Sequence, residues 1–134
     1  MIKHNLKIFS QNVRKNKTLI DIILETQKNN ADIILIQEPP WALLRRTPSH
    51  INPEGDPYYG TPNHPEWSLF IQNDGSTENY PRVATYVNRH ISKMRFSLRK
   101  DLINHRDINI IDFHNGQDNN FIINVYSDSN QTAL

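Results

Sequence analysis

Apolar and polar positions trace a strand, a helix and a second strand through the first forty residues. In "NLKIFSQNV", Leu6 and Ile8 alternate with polar neighbours, the two-residue period of a half-buried strand. In "TLIDIILETQKNN" the period becomes helical: Leu19, Ile22, Ile23 and Thr26 fall on one face, and Ile20 and Leu24 widen it. This pattern predicts a helix from about Thr18 to Asn29. Thr18 is its expected cap, Asp21 the capping-box partner near the positive helix end, and Asn29-Asn30 the stop. "DIILIQE" then reads as a fully buried strand, with four apolar residues in a row, three of them β-branched. Strand, helix and strand with short connections make a β-α-β unit, which predicts parallel, neighbouring strands in one sheet.

The second strand ends abruptly. Polarity switches at Gln37-Glu38, and Pro39-Pro40 forbid continuation as a paired central strand. In open α/β sheets the carboxyl ends of the strands are where ligands bind, so Glu38 is a candidate site residue. A solvated strand terminus is the plain alternative. From Pro39 to Pro65 lie seven of the eight prolines, with Gly55, Gly60 and no helical or strand period. That composition predicts a long loop, functional or disordered. The remainder is strand-like and antiparallel in flavour: "WSLFIQ", "RVATYV", "MRFSL", then "DINIIDFH" and "NFIINVYS" joined as a hairpin by "NGQDN". "SDSNQTAL" has the look of a helix beginning, so the chain is expected to be a fragment of a larger domain.

Composition narrows the classes. At 134 residues the chain has the length of one small domain and not of two, and its 37% hydrophobic content is enough for a core but lean. A formal net charge of +1 does not by itself demand nucleic acid. The absence of cysteine excludes disulfides, zinc ribbons and a thiol nucleophile. "MIKHNLKIFS" lacks the apolar core of a signal peptide, and no run reaches membrane-spanning length. The expected setting is intracellular, nuclear or cytoplasmic, with no membrane partner.

"LKIFSQNVR", "ADIILIQEPPW", "PRVATYVNR", "RDINIIDFH" and "NFIINVYSDSN" occur in the order seen in the endonuclease/exonuclease/phosphatase superfamily. They most resemble the endonuclease domain of non-LTR retrotransposons, the fungal kind especially. The resemblance covers nearly the whole chain, but about the first half to two-thirds of such a domain. It implies an α/β sandwich of two facing sheets, begun by the β-α-β unit and continued by antiparallel strands. It also implies hydrolysis of a phosphodiester in DNA, assisted by Mg²⁺ or Mn²⁺.

The same resemblance assigns roles residue by residue. Glu38 matches the metal-binding glutamate, Asn12 an asparagine that orients active-site groups or the phosphate, and Tyr126 a tyrosine whose hydroxyl approaches the scissile phosphate. Arg14 stands where some members carry a metal-ligating aspartate, and is a candidate phosphate ligand instead. Asn130 corresponds to a loop asparagine that follows the tyrosine. Asn12, Glu38 and Tyr126 are expected to converge on one sheet edge beneath the proline-rich loop.

The departures matter equally. The family's Gly-Asp-x-Asn and Ser-Asp-His segments, which supply the water-activating aspartate and the phosphate-steadying histidine, are absent from the sequence. Asp128-Ser129-Asn130 spells Asp-x-Asn, but it follows "NVY" with no strand between and is not the catalytic pair. The six histidines show no metal-binding spacing. Metal binding is therefore expected to be weak, and the chain weakly active or inactive alone. The alternative is a non-catalytic remnant that binds nucleic acid or protein. "RHISKMRFSLRK", with Arg89, Lys93, Arg95, Arg99 and Lys100, reads either as a phosphate-tracking stretch or as a solvated strand edge.

Overall fold

The computed structural model describes residues 5–72, 80–91, 95–115 and 118–127. Strand β1 (Ile8–Asn12) is followed by helix α1 (Lys17–Thr26) and strand β2 (Ile33–Gln37). The two strands pair in parallel, Ile8 opposite Ile33 and Asn12 opposite Gln37, as the β-α-β pattern predicts. The chain continues through β3 (Ala42–Thr47), β4 (Asp56–Gly60), β5 (Trp67–Phe70) and β6 (Val83–Asn88). A 3₁₀ turn (Arg89–Ile91) leads on to β7 (Arg95–Leu98), β8 (Ile108–Asn115) and β9 (Asp118–Val125). β6 pairs antiparallel with β2, giving a four-stranded mixed sheet of order β1-β2-β6-β5. β7-β8-β9 form a second, antiparallel sheet, in which β8 and β9 are the expected hairpin.

Alternation within β2 decides the layers. Ile34 and Ile36 face α1, where they bury with Ile20, Ile23, Leu24, Ala84 and Tyr86. Ile33 points the other way and packs with Val87 and Ile91, against which Phe96 and Ile122 of the second sheet close. A strand covered on both faces needs a continuous apolar run, and "IILI" is one. Two buried polar contacts tie the helix layer: Trp67 Nε1 donates to Leu24 O at 2.9 Å, and the Tyr86 hydroxyl donates to Pro62 O at 2.6 Å. Burial pushes the Tyr86 phenol well above its usual range.

Asn124 joins the two sheets. Its amide donates to Ile36 O (3.2 Å), Ala84 O (3.0 Å) and Thr85 Oγ1 (3.3 Å), and its carbonyl accepts from Gln37 Nε2 (2.8 Å). The opposite face of β9 carries Phe121, Ile123 and Val125, all about half exposed (50%, 54% and 52%). The second sheet therefore has one apolar face outside the core.

Three expectations are corrected. Asn16, not Thr18, caps α1: its side chain accepts from Leu19 N at 3.0 Å, while Asp21 pairs with Lys17 instead of closing a capping box. Asparagine is the stronger cap, and the turn at Arg14-Lys15 delivers the chain to the helix two residues early. The helix stops at Thr26, and Asn30 reaches back to Thr26 O. The proline-rich segment is also not a structureless loop, because β3 and β4 pair there as a hairpin with a bulge between Leu43 and Arg45. Every residue of β3 is exposed, so no inside-outside alternation marked it. The expected helix beginning in "SDSNQTAL" lies outside the described residues.

Candidate functional site

β1 and β2 end side by side, and Val13 N extends their pairing by donating to Gln37 O at 3.0 Å. Both chains then turn sharply. Arg14 (φ 50°), Lys15 (φ 60°) and Glu38 (φ 51°) all adopt the left-handed region without being glycine. Each such residue costs ~1–2 kcal/mol relative to ordinary backbone and persists only where neighbours hold it. Here they do. Glu38 N donates to Arg82 O (2.9 Å), and Lys15 N donates to Glu38 O (2.7 Å), so Glu38 is clamped between the exit of β1 and the entry of β6.

The side chains follow from that clamp. The Asn12 amide donates to Glu38 Oε1 at 3.2 Å, while its own carbonyl accepts Arg14 N at 2.9 Å. The oxygen is thus occupied, and the amide hydrogens face the carboxylate. Arg82 forms a bidentate pair with Asp107, and its guanidinium lies 4.7 Å from the centre of the Tyr126 ring. Tyr126 N donates to Asp107 O at 2.8 Å, which docks the end of β9 against the same corner.

A second group flanks the first. Lys15 Nζ donates to the Tyr80 hydroxyl at 2.9 Å, and the Arg106 guanidinium lies 5.4 Å from the centre of the Tyr80 ring. Trp41 stacks on Tyr80, with centroids 6.4 Å apart and planes at 18°. The bond from Lys15 lowers the Tyr80 phenol below its usual range against the opposing effect of burial, with the charges of Lys15, Arg106 and Arg82 adding to it. Two carboxylates, Glu38 and Asp107, thus share a corner with three cations, Lys15, Arg82 and Arg106, and Asp107 is paired with Arg82 and lies 3.8 Å from Arg106 Nε.

The sequence-derived residues fare unevenly. Asn12 and Glu38 are in direct contact, and Tyr126 reaches the corner through Arg82. Arg14 is exposed beside them and contributes its backbone N–H to Asn12. Asn130 lies outside the described residues, as does Asp128. Asp112 is committed elsewhere, accepting from Ser97 Oγ (2.7 Å) and Arg99 (2.8 Å). Arg99 also grips Asp101, whose carboxyl falls to about 2 through that hydrogen bond. β7, from the basic stretch, is an edge strand, and Arg99 is spent on acids from outside that stretch. Lys15, Trp41, Tyr80, Arg82 and Arg106 were not singled out by sequence, although Trp41, Arg82 and Arg106 lie within "ADIILIQEPPW", "PRVATYVNR" and "RDINIIDFH", and Lys15 and Tyr80 adjoin "LKIFSQNVR" and "PRVATYVNR".

A Mg²⁺ ion can be tested against these donors. Glu38 offers a hard carboxylate oxygen, but Asp107 is occupied by Arg82. Among the described residues no three His, Cys, Asp or Glu side chains cluster to hold an ion. The donor set fits Mg²⁺ bound through one carboxylate with water and a substrate phosphate completing its shell, and it does not fit an ion caged by protein alone.

No protein-family model and no curated protein matches the sequence. Among solved structures the chain is similar to the endonuclease domain of TRAS1, a telomere-specific non-LTR retrotransposon, with 16% sequence identity and a TM-score of 0.58. The match covers 92% of this chain and 45% of that one, so this chain spans under half the length of its structural relative. Over nearly all of its length the chain thus shares the α/β fold of a part, under half, of that retrotransposon endonuclease domain, with Asn12 and Glu38 joined at the ends of its parallel strands.

Proposed function

We propose that this chain is an endonuclease-like domain that holds a phosphodiester and a Mg²⁺ ion at the Glu38 corner, and that it cleaves DNA poorly by itself. The observation that carries this is the clamped Glu38, hydrogen-bonded to Asn12 and set among Lys15, Arg82 and Arg106. Strained backbone at a sheet end, with an acid presented there, is the arrangement expected of a functional corner. Glu38 would hold the metal, Asn12 would keep its carboxylate aimed, and Lys15 and Arg106 would attract the phosphate backbone. Bound there, the ion supplies charge neutralisation at a phosphate oxygen. Arg82 is neutralised by Asp107 and serves to position Tyr126, whose hydroxyl is the candidate contact to the phosphate.

Weak cleavage follows from what the sequence lacks. General-base assistance is worth ~10²–10⁴-fold in rate, and a missing transition-state donor costs a further ~10²–10³-fold. The family's segments for both are absent from this sequence. The test measures the affinity of a fluorescein-labelled oligonucleotide by anisotropy, with and without Mg²⁺, alongside plasmid nicking. The expected result is tighter binding in Mg²⁺, loss of that gain in Glu38→Gln, and nicking near background. A Mg²⁺ gain that survives Glu38→Gln would overturn the assignment of the metal. Robust nicking abolished by Glu38→Ala would overturn the expectation of weak activity and turn attention to Asp107.

A further inference from the structure

We infer that Trp41 and Tyr80 form a stacking platform for a base of single-stranded nucleic acid, with Lys15 and Arg106 placed to meet its phosphates. This extends the proposed function, because it assigns the strand that would cross the Glu38 corner a second point of contact. The contrast is with Trp67 and Tyr86, the two fully buried large aromatics of the helix layer. Trp67 and Tyr86 are wholly buried, and each spends its polar atom on a backbone carbonyl of the core. Trp41 and Tyr80 are only half-buried, lie at the functional corner, and stack nearly parallel at 6.4 Å and 18°. The Trp41 indole N–H finds no hydrogen-bond partner among the described residues. Both rings keep partial access to solvent, while the indole nitrogen itself is buried.

Its surroundings suit a nucleotide. Two cations from different segments lie over the Tyr80 ring, Lys15 after β1 at 5.3 Å from its centre and Arg106 before β8 at 5.4 Å, so positive charge is held directly against the stack. Aromatic faces accept any base, and charge beside them tracks the backbone, which is the usual construction of single-strand sites. Trp41 stands three residues after Glu38, with buried Pro39 and Pro40 between. Fully extended, that span is at most about 11 Å, or about three nucleotides at the stacked spacing of ~3.4 Å per strand. The base on the platform would therefore lie within a few nucleotides of a phosphate at Glu38. Lys15 serves both places, since its N–H holds Glu38 and its ammonium holds Tyr80.

The test uses the whole chain and a short fluorescein-labelled oligothymidylate in EDTA, so that no metal at Glu38 enters the measurement. Trp41→Ala and Tyr80→Ala should each weaken binding about 5- to 100-fold, while Trp41→Phe and Tyr80→Phe retain most of the affinity. Lys15→Met should flatten the dependence of log affinity on log salt by about 0.7. A blunt duplex of mixed sequence should lose less than about threefold in Trp41→Ala, because its bases stay stacked on one another. Far-UV circular dichroism checks that each variant keeps the fold, as half-buried positions allow. Unchanged binding in both alanine variants would overturn the platform, and so would equal losses for single strand and duplex. Failure of the metal assignment is read separately, from Mg²⁺ dependence in the unsubstituted chain; a platform effect in EDTA stands without it. No oligonucleotide binding by the unsubstituted chain would overturn both.

Discussion

Replacing Asn124 with leucine should separate the two sheets energetically, and the size of the effect can be worked from its contacts. Asn124 is 1% exposed and makes hydrogen bonds to Ile36 O, Ala84 O, Thr85 Oγ1 and Gln37 Nε2. Leucine has nearly the same shape, so no large cavity opens and the change is one of polarity. Gln37 can recover, because its amide is also near Ser10 Oγ (3.3 Å) and Leu35 O (3.4 Å). The groups facing Asn124 from β2 and β6 have less recourse: each buried group that loses a partner costs ~1–3 kcal/mol. Burying the leucine side chain offsets ~1–2 kcal/mol of that loss. Three such groups at ~1–3 kcal/mol each, less the leucine's ~1–2 kcal/mol, leave a net destabilisation of at least ~1–2 kcal/mol, a sizeable share of the ~5–15 kcal/mol that holds a domain together. Urea unfolding should show a lower midpoint at an unchanged slope. Asn119→Leu, at an exposed position of the same strand, serves as control and should change stability by less than ~0.5 kcal/mol. Equal effects at the two positions would refute the bridging role of Asn124 and the packing of β9 on β2 and β6.

Asn16→Ala should cost ~1 kcal/mol by removing the helix cap, whereas Thr18→Ala, inside the first turn, should be nearly neutral in the same urea assay. The Asp101 carboxyl is held near 2 by Arg99, and that of Asp112 is held below its usual range by Ser97 and Arg99. A carboxylate with a depressed folded value stabilises the fold fully above the ordinary range and loses that contribution as pH falls from about 4 towards 2. Arg99→Met should therefore destabilise at pH 6 and make little difference at pH 2, as followed by urea midpoints across that range. Ile123→Lys, on the outward face of β9, should raise solubility in concentration-dependent light scattering while shifting stability by less than ~0.5 kcal/mol.

The early part of the fold was legible because its constraints are local. Period-two alternation, a helical stripe and short connections leave one arrangement for β1, α1 and β2, and that arrangement sets Asn12 beside Glu38. The hairpin of β3 and β4 was illegible because β3 buries nothing and β4 buries only its last residue, leaving prolines as the visible signal. In β9, alternation alone would turn Phe121, Ile123 and Val125 inward and Asn124 outward, yet Asn124 is the buried member. The carbonyls and the hydroxyl of the facing sheet reward one amide there, and no local pattern records them. The aromatic and basic side of the site was hidden for a related reason. Trp41 and Tyr80 meet only because β2 and β6 are neighbours, a pairing between strands far apart in sequence.

A Mg²⁺ titration followed by nuclear magnetic resonance on the isotope-labelled chain tests the Glu38 corner most directly. The Asn12 side-chain amide donates to Glu38 Oε1, so an ion bound by that carboxylate must move its resonances. Saturable shifts are expected at Asn12, Lys15 and Glu38 as Mg²⁺ is added, absent in Glu38→Gln. Shifts scattered over exposed acids such as Asp21 and Asp101, with Asn12 and Glu38 unmoved, would contradict the assignment of the metal to Glu38.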